Sequence, residues 1–312
     1  MTVSILKTPD AWWVQTAAGA AKIDTTATTT GELLAQRDAI AAAATSAQSV
    51  SIDELNLVSP ITAPCRVVAQ MTNFESHVVD SNMDPATIPL TFFRKSSASI
   101  SGPYDDIVKP GHVRLLDYEV EIGLVIGADV PVGTPVSELN IADYIAGLVV
   151  TNDVSARDIQ LPQTQFYEAK SYPTFTPVGP VLTLLNAQEL RRFGDLRLSL
   201  SVNGEQRQNA LVEGDMIYRP LQALQSLSRF QTLAAGDLIL TGTPAGTALS
   251  APAKAIEIIG SLLPPAVKWK NFFKSQAKNP KYLHDADLVE ASVATDDGAI
   301  DLGTQRMKVR YA

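Results

Sequence analysis

Two glutamates open the chemical reading. Glu119 and Glu121 stand two apart in the run Tyr118–Ile126 (YEVEIGLVI). In a strand, residues i and i+2 point the same way, so both carboxylates project from one face while Val120, Ile122 and Leu124 occupy the other. Two like charges about 7 Å apart on a strand of buried type repel and are costly to desolvate. A hard divalent cation such as Mg²⁺ or Mn²⁺ between them relieves both costs. The plain alternative is a strand with a solvated acidic face. Asp153 lies in Thr151–Gln160 (TNDVSARDIQ), directly after the apolar run Ile145–Val150. An acid at the end of a buried strand is placed to complete a metal site, although Asn-Asp is also ordinary turn chemistry. His77 and Asp80, three apart in Asn73–Asp80 (NFESHVVD), share a face if the segment is helical. That spacing suits a general base and its supporting carboxylate, or simply a surface histidine near an acid. Lys170 precedes a Pro-rich stretch (SYPTFTPVGP) and offers a cation to a substrate anion, unless it is merely solvated. Gly236–Gly246 (GDLILTGTPAG) is a Gly-rich turn after a strand, without the Gly-Lys-Ser/Thr of a phosphate loop.

These residues need a scaffold. Val3–Leu6 and Trp12–Gln15 read as short strands, and Gly31–Ser46 as one Ala-rich helix capped by Thr30. Residues 1–60 thus form a small N-terminal α/β appendage, and residues 61–312 a catalytic domain. Strands are expected at Cys65–Gln70, Leu90–Arg94, Tyr118–Ile126 and Ile145–Thr151. Asn203-Gly204 and Asp297-Gly298 mark hairpins. Helices are few: Leu221–Phe230, and Pro265–Lys278 with Trp269, Phe272 and Phe273 as an apolar stripe. The elements do not alternate βαβα, so the fold class is α+β and β-rich rather than a doubly wound sheet.

Composition narrows the function. With 25 Lys+Arg against 33 Asp+Glu, the net charge of −8 disfavours nucleic acid or an anionic membrane as partner. One cysteine excludes an internal disulfide and a thiolate zinc cluster, and a three-His site would need every histidine of the chain. Any metal site must be mostly oxygen. No targeting segment and no apolar run of about 18 residues is visible, so a cytoplasmic protein is expected.

From Cys65 onward the chain resembles the fumarylacetoacetate hydrolase superfamily. The resemblance rests on NFESHVVD, DYEVEIG at Asp117–Gly123, TNDVSARDIQ, AKSYPTFTPVGP and GDLILTGTPAG, in that order. It implies the family's mixed β-sheet roll or barrel core, a divalent metal and a homodimer. Glu119, Glu121 and Asp153 match the metal ligands, with Mg²⁺ or Mn²⁺ expected and Ca²⁺ acceptable in crystals. His77 matches the lid histidine, with Asp80 as its supporter, and Lys170 the active-site lysine. Gln160 and Thr243 match substrate contacts, and Arg157 falls beside the metal. The sequence departs from the family pattern in Phe74 for tyrosine, Asp80 for glutamate and Ala169 for glycine. Val67–Thr72 has no acid, so three protein ligands are expected. Residues 250–285 look inserted.

Such a site suits a small oxo-acid or β-diketone substrate. The expected reaction is hydrolysis of a C–C bond in an acylpyruvate-like 1,3-dicarbonyl through a metal-held enolate, as in aromatic catabolism. The alternative on the same site is a decarboxylase, isomerase or hydratase of 2-oxo acids such as oxaloacetate. A non-enzymatic sensor of organic acids and a purely structural module are the competing classes. Specificity is expected from Asn73–Asp84 and from Gln163, Gln165, Phe166 and Tyr167.

Overall fold

The computed structural model describes residues 2–164, 166–249 and 263–312. The architecture is α+β and strand-rich, built on two mixed sheets. The larger has nine strands in the order Gly19–Lys22, Trp12–Thr16, Val3–Lys7, Leu182–Leu184, Ile145–Asn152, Val120–Ile126, Leu238–Leu240, Val67–Gln70 and Phe92–Lys95. All neighbours are antiparallel except Leu238–Leu240 with Val67–Gln70. The smaller sheet orders Glu205–Leu211, Leu196–Val202, Leu288–Thr295, Asp301–Tyr311 and Ile107–Lys109.

The strand that carries the glutamates is buried along its whole length, Val120 to Ile126. Its two faces enter different cores. Val120, Ile122, Leu124 and Ile126 pack with Leu198, Leu200, Val289 and Val293 of the smaller sheet. Val125 instead joins Leu33 and Ile40 of the N-terminal helices, together with Ile5, Trp12 and Leu238. The face that carries the glutamates is therefore covered by apolar protein at its Val125 end. Residues of the N-terminal 60 extend the large sheet through pairs such as Ile5↔Leu182.

Local chemistry explains the boundaries. The Ala-rich segment is two helices, Thr30–Leu34 and Arg37–Ala44, rather than one. Its cap is Thr29, which accepts from Glu32 N in a capping box. Thr30 is the first helical residue instead, and its hydroxyl accepts from Thr62 N and donates to Pro60 O, both at 2.9 Å. At Asn203-Gly204 both residues have positive φ, 52° and 79°, as a two-residue hairpin turn of the primed type requires. Of the inserted-looking stretch, residues 250–262 lie outside the described residues. The helix Pro265–Gln276 buries no side chain, and its Trp269, Phe272 and Phe273 rings contact one another.

Candidate active site

Strand register assembles the acids. Thr151 pairs with Glu121 and Asn152 with Val120 across the antiparallel ladder. The pairing continues as Asp153 N donates to Glu119 O at 2.8 Å, while Glu119 N donates to Asn152 Oδ1 at 2.9 Å. Residues directly opposite share a face, so Asp153 joins Glu119 and Glu121 on one side. Ligand oxygens of the three lie within 4.8 Å of one another, all buried; among the described residues this is the one such group.

Cations surround the triad. Lys170 Nζ donates to Glu119 Oε2 at 2.6 Å and to Asp153 Oδ2 at 2.5 Å. Lys95 Nζ donates to Asp153 Oδ1 and, at 2.8 Å, to Phe175 O. Arg157 sends Nε to Asp117 Oδ2 at 2.8 Å, one terminal nitrogen to Gln160 Oε1 at 2.9 Å and the other to Glu119 Oε1. Asp117, fully buried, also accepts from Ala248 N and Leu249 N at 2.8 and 3.1 Å.

Glu121 is treated differently from its partners. Its one hydrogen bond given by the structure comes from Gly242 N at 2.7 Å. Gly242 has φ +88°, and a Cβ there would sit 2.8 Å from Asn73 Cβ, so only glycine brings that amide to the carboxylate. Burial, then Asp153 and Glu119, push the Glu121 pKa well above the usual carboxylate range. Burial also works against the charge of Glu119, but Arg157, Lys170 and His77 outweigh it and hold that pKa low. For Lys170, burial is overcome by Asp153 and Glu119, which keep the ammonium charged. A buried carboxylate facing two others takes up a proton or a cation. The all-oxygen donor set fits a hard divalent ion.

His77 sits on the helix Glu75–Asp80. Asn73 anchors its start by donating to Tyr218 O and Thr241 O at 2.9 and 2.8 Å, and Asp215 accepts from Ser76 N and Oγ at 2.7 Å each. His77 Nδ1 is buried without a hydrogen-bond partner. Burial lowers the imidazole pKa, more than Glu119 raises it, which favours the neutral ring. The expected dyad is not assembled: Asp80, the last residue of this short helix, is exposed and does not line the cavity.

The cavity of about 60 Å³ is lined by the triad, His77, Arg157, Gln160, Lys170 and Thr243, and also by Gln70, Phe93 and Phe166. Thr243 Oγ1 donates to Val120 O and accepts from Gln208 Nε2, both at 2.8 Å, and Arg157 is engaged by three protein partners. Both therefore hold the site's frame, whatever they touch beyond it. Of the loop residues expected to give specificity, Phe166 reaches the cavity, 5.1 Å from the Phe93 ring. Gln163 and Tyr167 are exposed, and Gln165 lies outside the described residues. Lys95, Asp117 and Gln70 escaped the sequence reading. The alternation in FFRK, which puts Lys95 on the same side as Phe93, was the available signal for the first.

Residues 66–310 match the family model described as fumarylacetoacetate (FAA) hydrolase C-terminal. The chain belongs to the fumarylacetoacetate hydrolase family. Family members generally use a divalent metal, consistent with the acidic cluster. The mitochondrial oxaloacetate tautomerase Fahd2a of Rattus norvegicus is 34% identical over 197 residues, 63% of this chain and 61% of that protein. The 2,4-didehydro-3-deoxy-L-rhamnonate hydrolase of a Sphingomonas species is 37% identical over 188 residues, 60% of this chain and 64% of that protein. The matched segment thus spans less than two thirds of these relatives. A fumarylacetoacetate hydrolase from Exiguobacterium antarcticum superposes with TM-score 0.71 at 25% identity, covering 100% of both chains. This family member is similar to hydrolases and to tautomerases alike. No helix among the described residues is long and apolar enough to cross a membrane.

Proposed function

We propose that this enzyme hydrolyses a C–C bond of a 2,4-dioxo acid, giving pyruvate and a carboxylic acid. The observation that carries the reading is a half-buried His77, its pKa lowered and its buried Nδ1 unpartnered, in the same cavity as the three carboxylates and Lys170. Glu119, Glu121 and Asp153 would hold Mg²⁺ or Mn²⁺, which when bound supplies the positive charge that stabilises an enolate. His77 takes a proton from water as the water oxygen bonds to C4. The C3–C4 bond then breaks, its electron pair remains on the pyruvate enolate, and the proton returns to C3. Lys170 uses two of its three N–H donors on Glu119 and Asp153; the third is left for a substrate oxygen. Phe93 and Phe166 cover one wall and limit bulk water.

A second reading is keto–enol interconversion or decarboxylation of a small 2-oxo acid such as oxaloacetate. The exposure of Asp80 favours it, because His77 then lacks the carboxylate that would raise its basicity. Similarity to an oxaloacetate tautomerase adds support. Wild type and His77→Ala, each with Mn²⁺, separate the two. The hydrolase reading expects loss of diketone absorbance on acylpyruvates, with pyruvate released, abolished by His77→Ala. Silence on every acylpyruvate together with catalysed enol decay of oxaloacetate would establish the second reading instead. The proposal includes a homodimer, on the strength of the family resemblance, and light scattering measures it.

A further inference from the structure

Gln70 ends the strand Val67–Gln70 and faces the cavity. It is 2% exposed, yet neither Oε1 nor Nε2 has a hydrogen-bond partner. Burying a primary amide with both halves unpaired is costly, and such groups in a native site point to something that pairs with them. His77 Nδ1, unpartnered in the same cavity, is the other buried polar atom left open there.

The chemistry of the missing partner follows from what surrounds Gln70. The cations lining the cavity, Arg157 and Lys170, are both tied to protein carboxylates. A distal carboxylate on the substrate would accept from Nε2 but set its charge against Oε1, with no uncommitted cation among the described lining residues. An alkyl group would leave both amide atoms unpaired. A hydroxyl both donates and accepts, so it meets either atom, and a hydroxyl beside a carbonyl meets both.

We infer that Gln70 is a specificity-determining residue that reads a hydroxyl on the acyl side of the substrate. The substrate class is then a hydroxylated 2,4-dioxo acid rather than an alkyl acylpyruvate or a diacid. The inference rests on the hydrolase reading for the identity of the core, and on Gln70 alone for the hydroxyl.

The test compares Mn²⁺-loaded wild type and Gln70→Met on acetylpyruvate, its hydroxymethyl analogue and the analogue ending in a carboxylate. Wild type should favour the hydroxylated compound over acetylpyruvate by about tenfold or more in kcat/KM. Gln70→Met should bring that ratio close to one, and ligand-free Gln70→Met should melt higher than wild type. Equal kcat/KM for the two compounds in wild type, or a preference that survives in Gln70→Met, overturns the inference. If none is cleaved, the hydrolase reading fails, and calorimetric affinities of the same pair still decide the role of Gln70. A hydroxyl preference seen in wild type and lost in Gln70→Met supports it; equal affinities refute it.

Discussion

Lys95→Met probes how the site is held in the absence of metal. The Lys95 side chain is fully buried; its ammonium donates to Asp153 Oδ1 and to Phe175 O. Without metal Glu121 holds a proton, so around the triad three charged buried carboxylates (Asp117, Glu119, Asp153) face three buried cations (Lys95, Arg157, Lys170), a net of zero. Methionine keeps the stem volume but takes this net to −1 and leaves Phe175 O without its donor. Removing one partner from a buried pair costs about 3–5 kcal/mol. For 312 residues, at about 2.1 cal/mol/K each, the unfolding entropy is near 0.66 kcal/mol/K, so the expected loss is about 5–8 °C in Tm. A divalent cation restores the balance, so it should stabilise the variant more than it stabilises wild type. Melting curves of both proteins in chelator and in Mn²⁺, with calorimetric metal affinities, measure each part. A chelated variant within about 1 kcal/mol of wild type, or one that gains less from Mn²⁺, would refute the account of the site as a charge-balanced cluster.

Three further outcomes are expected. Because burial lowers the His77 pKa, the unfolded chain binds its proton first on acidification. Stability from neutral His77 is complete above about pH 6.5 and is lost as pH falls below it; relative to His77→Leu, wild type should lose stability on acidification below about pH 6.5, and parallel pH profiles would contradict this. Gly242→Ala places a side chain at positive φ and 2.8 Å from Asn73 Cβ. It should cost about 1–3 kcal/mol and weaken metal binding through Glu121, unlike a neutral change, which would leave both melting and calorimetry as in wild type. The Cys65 thiol, pushed up to about 12 by burial and by Asp237, carries only about one thiolate in ten thousand at pH 8. Iodoacetamide should spare it in the folded protein and label it in denaturant; rapid labelling of native protein would show the site to be open.

What the sequence determined by itself was local and periodic. The two-residue spacing of Glu119 and Glu121 settled that they share a face, and the apolar run Ile145–Val150 settled that Asp153 follows a buried strand. Asn203-Gly204 named its own turn, since few residues tolerate two positive φ values. Scarce Cys and His confined any metal site to oxygen. Tertiary structure decided what is long-range. Pairing of Asn152 with Val120 set Asp153 opposite Glu119, and Gln70, Phe93, Arg157 and Lys170, brought in from other elements, close around those carboxylates so that they are buried rather than solvated. Lys95 reaches Asp153 across 58 residues of sequence, a contact that no local pattern encodes. Asp80 lies at the predicted spacing from His77, but spacing fixes only an angle on the helix, and the helix ends there in solvent. Gln70 reads as one more residue of an apolar strand. Only its place at the cavity wall, with both amide atoms unpaired, marks it as a group in need of a partner.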